Sequence, residues 1–424
     1  MTARQRKWLV IAVAVLLLVA LVFLGGYWAF VFYVATAIAG LAWLLTYRAA
    51  SHIDITRHCS TREAEIGETV TVRVRITNRS VLPVPWMIVE DMILPELPAS
   101  GVRGELTWLM PGRDTVLEYT LLCQRRGYYR IGPVLIETGD YFGVFRRFMA
   151  RPPLHYLTVY PRALPIGRML VPTSRPIGEV RQRFAFLEDP TRPAGVREYM
   201  RGDPLRRIHW KATAHTGQLH SRVYERTRIQ GANIVIEFHR EAWRGDDADG
   251  RRELAVTVAA SIAAHLRDRH QRFGLISNGL DGARMIEAWP SEVDAASRSE
   301  AAKVLERREP PERFEPVVVP PGRGDETLDL VMGALARLVP GTGLTLPALI
   351  AREHPAWSRE LAMLLIVPGI DDELLRSVGI LRGARFAVGM IVIGETPAQV
   401  AALADAGVAV YGVPNEEAVA TIAL

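Results

Sequence analysis

The stretch from Gly195 to Glu225 concentrates the side chains best suited to chemistry. Glu198, Asp203 and Lys211 are the residue types of a metal-dependent nuclease: carboxylates to hold a divalent cation and an ammonium to steady a phosphate. The acids precede the lysine, but the strand-borne acid–x–Lys order of such enzymes is missing. His209, His215 and His220 carry metal donors, yet spacings of six and five fit neither one helical face nor a zinc pattern, and no cysteine is near. Arginine and tryptophan dominate what remains. Gly202-Asp203-Pro204 reads as a turn opening a short helix, with Asp203 as N-cap and Pro204 at the first helical position. Arg207 and Lys211 then share a face, while Ile208 and Trp210 point elsewhere, into a core or a groove. Two readings stay open. One is an ion-paired network tying two domains together, with Arg197, Arg207 and Arg222 facing Glu198, Asp203 and Glu225. The other is a docking surface for an acidic partner, because arginine and tryptophan are enriched at binding hot spots.

These residues must be positioned by flanking elements, and the flanks differ in character. From Trp8 to Tyr47 no residue is charged. One straight helix of that length would measure about 60 Å, twice the hydrocarbon core, so the run is expected to turn at Gly25-Gly26. This predicts a transmembrane helical hairpin over residues 1–48, touching the lipid bilayer through residues 8–47. Arg4, Arg6 and Lys7 before the first span and Arg48 after the second put both termini and the soluble domains in the cytoplasm, on the inner membrane. A cleaved signal peptide fits less well, since no small-x-small site follows Leu24.

Residues 50–165 predict an all-β, sandwich-like domain. Val70, Val72, Val74 and Ile76 alternate with Thr71, Arg73 and Arg75, the mark of a half-buried strand. Further strands are expected at Trp86–Asp91, Thr115–Cys123 and Val134–Thr138, punctuated by prolines that exclude long helices. Residues 166–229 form a linker and the arginine-rich segment. From residue 230 to 424 strands and helices alternate, which predicts an α/β sheet with mostly parallel strands. Strands are expected at Ile234–Phe238, Arg272–Ser277, Ala283–Trp289, Glu360–Val367, Ala387–Ile393 and Val408–Val413. Helices are expected at Arg251–His270, 371–383 and 396–406, with an irregular connector at 308–324.

The string R-E-Y-x-x-G-D-x-x-R-x-I-x-W-K, spelled here by Arg197, Glu198, Tyr199, Gly202, Asp203, Arg206, Ile208, Trp210 and Lys211, resembles the signature of the bacterial and archaeal "domain of unknown function 58" family. The run Arg126-Gly127-Tyr128 to Gly132-Pro133-Val134, followed by Asp140-Tyr141-Phe142-Gly143-Val144-Phe145, resembles that family too. The resemblance implies no established reaction. It implies a setting beside MoxR-type AAA+ ATPases and transglutaminase-like membrane proteins, with roles in assembly, maturation or the cell envelope. It also implies a von Willebrand factor A-like C-terminal unit. Where that fold binds a divalent cation, its first strand ends in D-x-S-x-S, whose hard oxygens converge on the ion. The matching positions here are Glu237, His239 and Glu241, so that metal site is expected to be degenerate and no cofactor is expected.

Composition narrows the choice. Among 424 residues, 51 Lys and Arg against 46 Asp and Glu leave a net charge of +5, too small an excess to argue for nucleic acid. Cys59 and Cys123 do not make a disulfide framework. The expectation is a membrane-anchored, non-enzymatic interaction or adaptor protein working with a MoxR-type ATPase. The alternatives are a metal-dependent hydrolase relying on Glu198/Asp203 or Glu237/Glu241, and a structural envelope scaffold.

Overall fold

A computed structural model describes residues 26–44, 52–93, 96–141, 145–167, 188–200, 208–226, 231–287, 293–295, 315–396 and 408–421, with isolated positions between 12 and 48. The chain divides into two compact units, Met1–Tyr160 with Gly282–Glu312, and Pro161–Asp281 with Arg313–Leu424.

The expected transmembrane hairpin is not supported, which corrects the fold class. The described part of residues 1–48 contains one continuous helix, Tyr27–Leu44, of 18 residues. At 1.5 Å per residue such a helix is about 27 Å long, short of ~30 Å of hydrocarbon. Among the described residues no helix is long and apolar enough to cross a membrane. The multi-pass inner-membrane localisation falls with the hairpin. An uncharged run is a statement about composition, whereas a span also needs unbroken helical length. The helix Tyr27–Leu44 is shorter than the expected second span, Tyr27–Tyr47, of which residues 45 and 47 lie outside the described residues, and the first expected span, Trp8–Leu24, lies mostly outside them.

The first unit is built from strands that pair antiparallel, except that Glu63–Glu65 runs parallel to His155–Tyr160. One sheet has the order Ile53–Cys59, Thr69–Asn78, Asp114–Leu122, Ala99–Gly101. Another has the order Val293–Ala295, Arg146–Arg151, Val134–Gly139, Val84–Asp91, Gly104–Leu109. A third sheet joins Glu63–Glu65, His155–Tyr160 and Gly127–Ile131. The alternation in Thr69–Asn78 has its expected result: Val70, Val72, Val74 and Ile76 are fully buried, in one cluster with Met87, Val89, Leu117 and Ile136. Each such side chain contributes roughly 1.5–3 kcal/mol on burial. The strand Val293–Ala295 is distant in sequence but pairs Phe148 with Ala295 and Ala150 with Val293.

That core also encloses charge. Arg57 donates from Nε to Asp91 Oδ2 at 3.1 Å and from Nη2 to Asp91 Oδ1, and from Nη1 to the carbonyls of Ile131 and Pro153. Tyr119 donates its hydroxyl to Asp91 Oδ2 at 2.6 Å. Gly132, at φ 94°, leaves room for this guanidinium, since a Cβ there would collide with it. In the Asp140–Phe145 motif the Asp140 carboxylate accepts from the Phe145 N–H at 2.6 Å, closing the turn, while Tyr128 stacks on Tyr156. Phe142, Gly143 and Val144 of that motif lie outside the described residues.

The second unit contains a six-stranded sheet in the order Val317–Gly322, Arg272–Ser277, Gly231–Ile236, Ala362–Val367, Val388–Ile393, Ala409–Val413. All neighbours are parallel except the edge strand Val317–Gly322. Alternation splits the core by face. Ile234 and Ile236 pack with Leu254, Val258 and Ile262 of the helix Ala248–Asp268 and with Val331 and Leu335 of Gly324–Arg337. Val235 packs on the other face with Leu346 and Leu349 of Leu346–Glu353 and Leu374 and Val378 of Asp372–Gly383.

Two local expectations change. Gly282–Glu287 is a helix where a strand was expected at Ala283–Trp289. The supposed connector 308–324 contains the edge strand Val317–Gly322 and leads into the helix Gly324–Arg337. The expected helix at 396–406 lies almost wholly outside the described residues.

Candidate functional site

Two places gather the residues singled out from sequence, both within the second unit. The first is a hairpin of Glu188–Glu198 and His220–Arg226, which aligns Val196 with Arg222, Arg197 with Ser221 and Glu198 with His220. The chain then continues the same pairing, since Tyr199 N–H donates to Leu219 O at 2.8 Å. Ile208 bridges to Ser221, and His209 N–H donates to His220 O at 2.8 Å. Residues 196–199, 208–211 and 219–222 of the signature therefore meet in one small structure. Ile208 and Ser221 are its buried residues, whereas Arg197, Glu198, Trp210, Lys211 and Arg222 are exposed and Tyr199 is half-buried. Trp210 keeps 67% of its surface accessible. Gly202, Asp203 and Arg207 lie outside the described residues, as does the helix start expected at Asp203.

The described helix runs from Trp210 to Thr216, and its cap is His209, whose Nδ1 accepts from Ala212 N–H at 3.0 Å. That role requires a neutral ring with its proton on Nε2. Gly217 ends the helix at φ 72°, a left-handed conformation that favours glycine, and its N–H donates to Thr213 O. His220 Nδ1 lies 2.8 Å from Gln218 O and 3.2 Å from Thr216 Oγ1, which makes it a turn-binding group. The three histidines are thus spread over a cap, an exposed helix position and a strand. Among the described residues no group of three His, Cys, Asp or Glu is placed to hold a metal ion.

The second place is the carboxyl end of the central strand Gly231–Ile236. Glu237 is 6% exposed, and its Oε1 accepts from Asn278 Nδ2 at 2.6 Å and from His239 N–H at 2.8 Å. Asn278 in turn accepts from Phe238 N–H at 2.7 Å and donates to Leu344 O at 3.1 Å. Trp243 Nε1 donates to Glu237 O at 3.0 Å. Burial raises the Glu237 carboxyl above its ordinary range, partly offset by the hydrogen bonds from Asn278 and His239. His239 is also occupied, with Nδ1 accepting from Glu241 N–H at the start of the turn Arg240–Ala242. Glu241 is exposed and does not join Glu237. Glu237, His239 and the backbone of Glu241 therefore shape a loop.

Sequence reasoning missed Asn278, which ties Glu237 to Phe238 and Leu344. No local signal marks it, because the partners meet only through the parallel pairing of Gly231–Ile236 with Arg272–Ser277.

A family described as "Protein of unknown function DUF58" matches residues 195–317, which span part of the hairpin, the central strand and the Glu237 loop. Among individual proteins, the chain is similar to the uncharacterized protein YeaD of Bacillus subtilis (strain 168), with 23% identity over 268 residues. That match covers 61% of this chain and 64% of the relative. Among solved structures, a FixG-related protein from Vibrio parahaemolyticus is 9% identical, with 26% of this chain and 96% of that chain covered and a TM-score of 0.18. The CARDB domain of PF1109 from Pyrococcus furiosus is 17% identical, with 25% and 94% covered and a TM-score of 0.19.

Proposed function

We propose that this chain is a non-enzymatic interaction protein that uses the signature hairpin to dock a partner of the MoxR-type AAA+ ATPase class. The observation that carries this reading is the exposure of Trp210, at 67%, in an element whose other exposed positions include Arg197, Lys211 and Arg222. Met200 and Leu219, 66% and 46% exposed, add apolar surface at the same turn. A large aromatic beside guanidinium groups is the composition of binding hot spots, and it costs free energy to leave in water. The hydrolase alternative needs converging acids, and Glu198 is exposed on the hairpin while Glu237 and Glu241 lie apart.

The test is direct binding of the purified chain to a purified MoxR-type ATPase, comparing the wild type with Trp210→Ala. Truncating a hot-spot aromatic is expected to weaken binding by at least about 2 kcal/mol, roughly thirtyfold. Because Trp210 is exposed, the variant should melt within about 0.5 kcal/mol of the wild type. Equal affinity of both proteins for the ATPase, or none in either, would return the hairpin to a structural role.

A further inference from the structure

A cavity of about 300 Å³ opens at the carboxyl edge of the six-stranded sheet. It lies where the parallel neighbours Gly231–Ile236 and Ala362–Val367 part company. The chain leaves the first toward Arg272–Ser277 on one flank and the second toward Val388–Ile393 on the other. In open α/β sheets this topological switch point is where ligands bind, and the volume falls at the lower end of the ~300–1,000 Å³ of small-molecule sites.

Its lining has a definite polarity. Arg244 and Arg251 face it, and neither forms an ion pair with a described residue. Arg251 donates from Nη2 to the Arg244 carbonyl, which links the two side chains' positions. It also runs over Gly394, where φ is 88° and a Cβ would press on Arg251 Cδ at 2.9 Å. Arg244 is steadied by Nε donation to Glu241 O at 3.0 Å. Each guanidinium has five N–H donors, so one such bond leaves most of the fork available. The two acids that line the cavity are already employed. Glu237 accepts from Asn278 and His239, and Asp371 Oδ1 accepts from Leu374 N–H at 2.7 Å as the cap of the helix Asp372–Gly383. The remaining wall is apolar, supplied by Val367, Ile370 and Leu374 among others.

We propose that this cavity binds a carboxylate that carries an apolar tail, with Arg244 and Arg251 gripping the oxyanion and Val367, Ile370 and Leu374 receiving the tail. A planar fork matches a carboxylate in two parallel hydrogen bonds. A phosphate dianion suits the site less well, because Asp371, Asp372 and Glu373 crowd the adjoining helix start with negative charge. A divalent cation suits it least, since it would meet the two arginines. The carboxylate can come from a small organic acid or from a glutamate side chain of a protein segment.

Isothermal titration of the full chain separates these cases, using acetate, hexanoate, inorganic phosphate, Mg²⁺ and the capped peptide acetyl-Leu-Glu-Leu-amide. Hexanoate or the peptide is expected to bind at least about tenfold more tightly than acetate, because of its buried methylenes. Arg244→Gln is expected to weaken that binding by about tenfold or more, the loss of a charge-assisted pair. Arg244 is exposed, so this variant should keep the wild-type melting temperature. Preference for hexanoate over the peptide assigns the site to a free acid, and the reverse preference assigns it to a protein segment. Binding of neither probe, binding unchanged in Arg244→Gln, or tighter binding of phosphate or Mg²⁺ would overturn the proposal.

Discussion

Asp91 in the first unit and Glu237 in the second are both buried carboxylates, and burial raises the proton affinity of each. Their surroundings differ in kind. Asp91 is met by a guanidinium and a phenol, with Arg57 and Asp91 side chains only 1% and 0% exposed. Opposite charge satisfies it completely, and the cluster joins strands of different sheets inside a packed apolar core. Glu237 is met by neutral donors, the Asn278 amide and the His239 N–H, at the open end of a sheet. The first arrangement closes a core around a charge. The second holds an acid beside a cavity without neutralising it. Burial of a titratable group is therefore not by itself the sign of a site, and the identity of the partner decides.

Breaking the pair in the first unit should give the larger effect. Asp91→Asn leaves the Arg57 guanidinium buried without its counter-charge, an expected loss of about 3–5 kcal/mol in that unit's stability, measured by denaturant unfolding. A loss below about 1 kcal/mol would mean that water reaches Arg57 and that the contrast between the two acids is overdrawn. In the second unit Asn278→Ala strips partners from Glu237, the Phe238 N–H and the Leu344 carbonyl. The expected cost is about 1–3 kcal/mol, the price of buried polar groups left unsatisfied. The smallest effect is a change in pH dependence. Above the ordinary carboxyl value of 4.5 the unfolded chain ionises at position 237, while the folded chain retains its proton up to its raised value. Stability from this group is therefore full below the ordinary value of 4.5 and is lost as pH rises from there through the folded value. Glu237→Gln keeps the acceptor oxygen and should flatten that decline, read as melting temperatures from pH 4 to 8. An unchanged profile would show that Glu237 titrates as if exposed.

Sequence legibility followed how local each signal was. The strand Thr69–Asn78 was readable because its alternation is complete within ten residues. Arg272–Ser277 and Asp372–Gly383 were readable for the same reason, as a short apolar run and an amphipathic stretch. Val317–Gly322 was not, because Pro320 and Pro321 argue against a strand interior; an edge strand tolerates them, since one side of its backbone needs no partner. Gly282–Glu287 was misread because six residues give too little period to separate helix from strand. The signature residues were legible as a group, yet their convergence through the Tyr199–Leu219 and His209–His220 hydrogen bonds was not. The Arg57–Asp91–Tyr119 cluster and Asn278 left no trace at all, because their partners stand 28 to 96 positions apart in sequence. The hairpin expected over residues 1–48 shows the opposite error, a strong compositional signal taken as a complete structural one.

The strand Val293–Ala295 has a consequence in time. It completes a sheet whose other members all lie before Tyr160, and the first half of the second unit is made between them. On a ribosome adding ~5–20 residues per second, the earlier strands wait on the order of 10 s for their last neighbour. Throughout that interval Arg146–Arg151 presents an open edge, and the chain emerging beside it is the parallel sheet, itself slow to form. A truncation ending near residue 281 would make the wait permanent, so the two units cannot be cut apart as consecutive pieces of sequence. The order of translation, and not only the final contacts, is written into this topology.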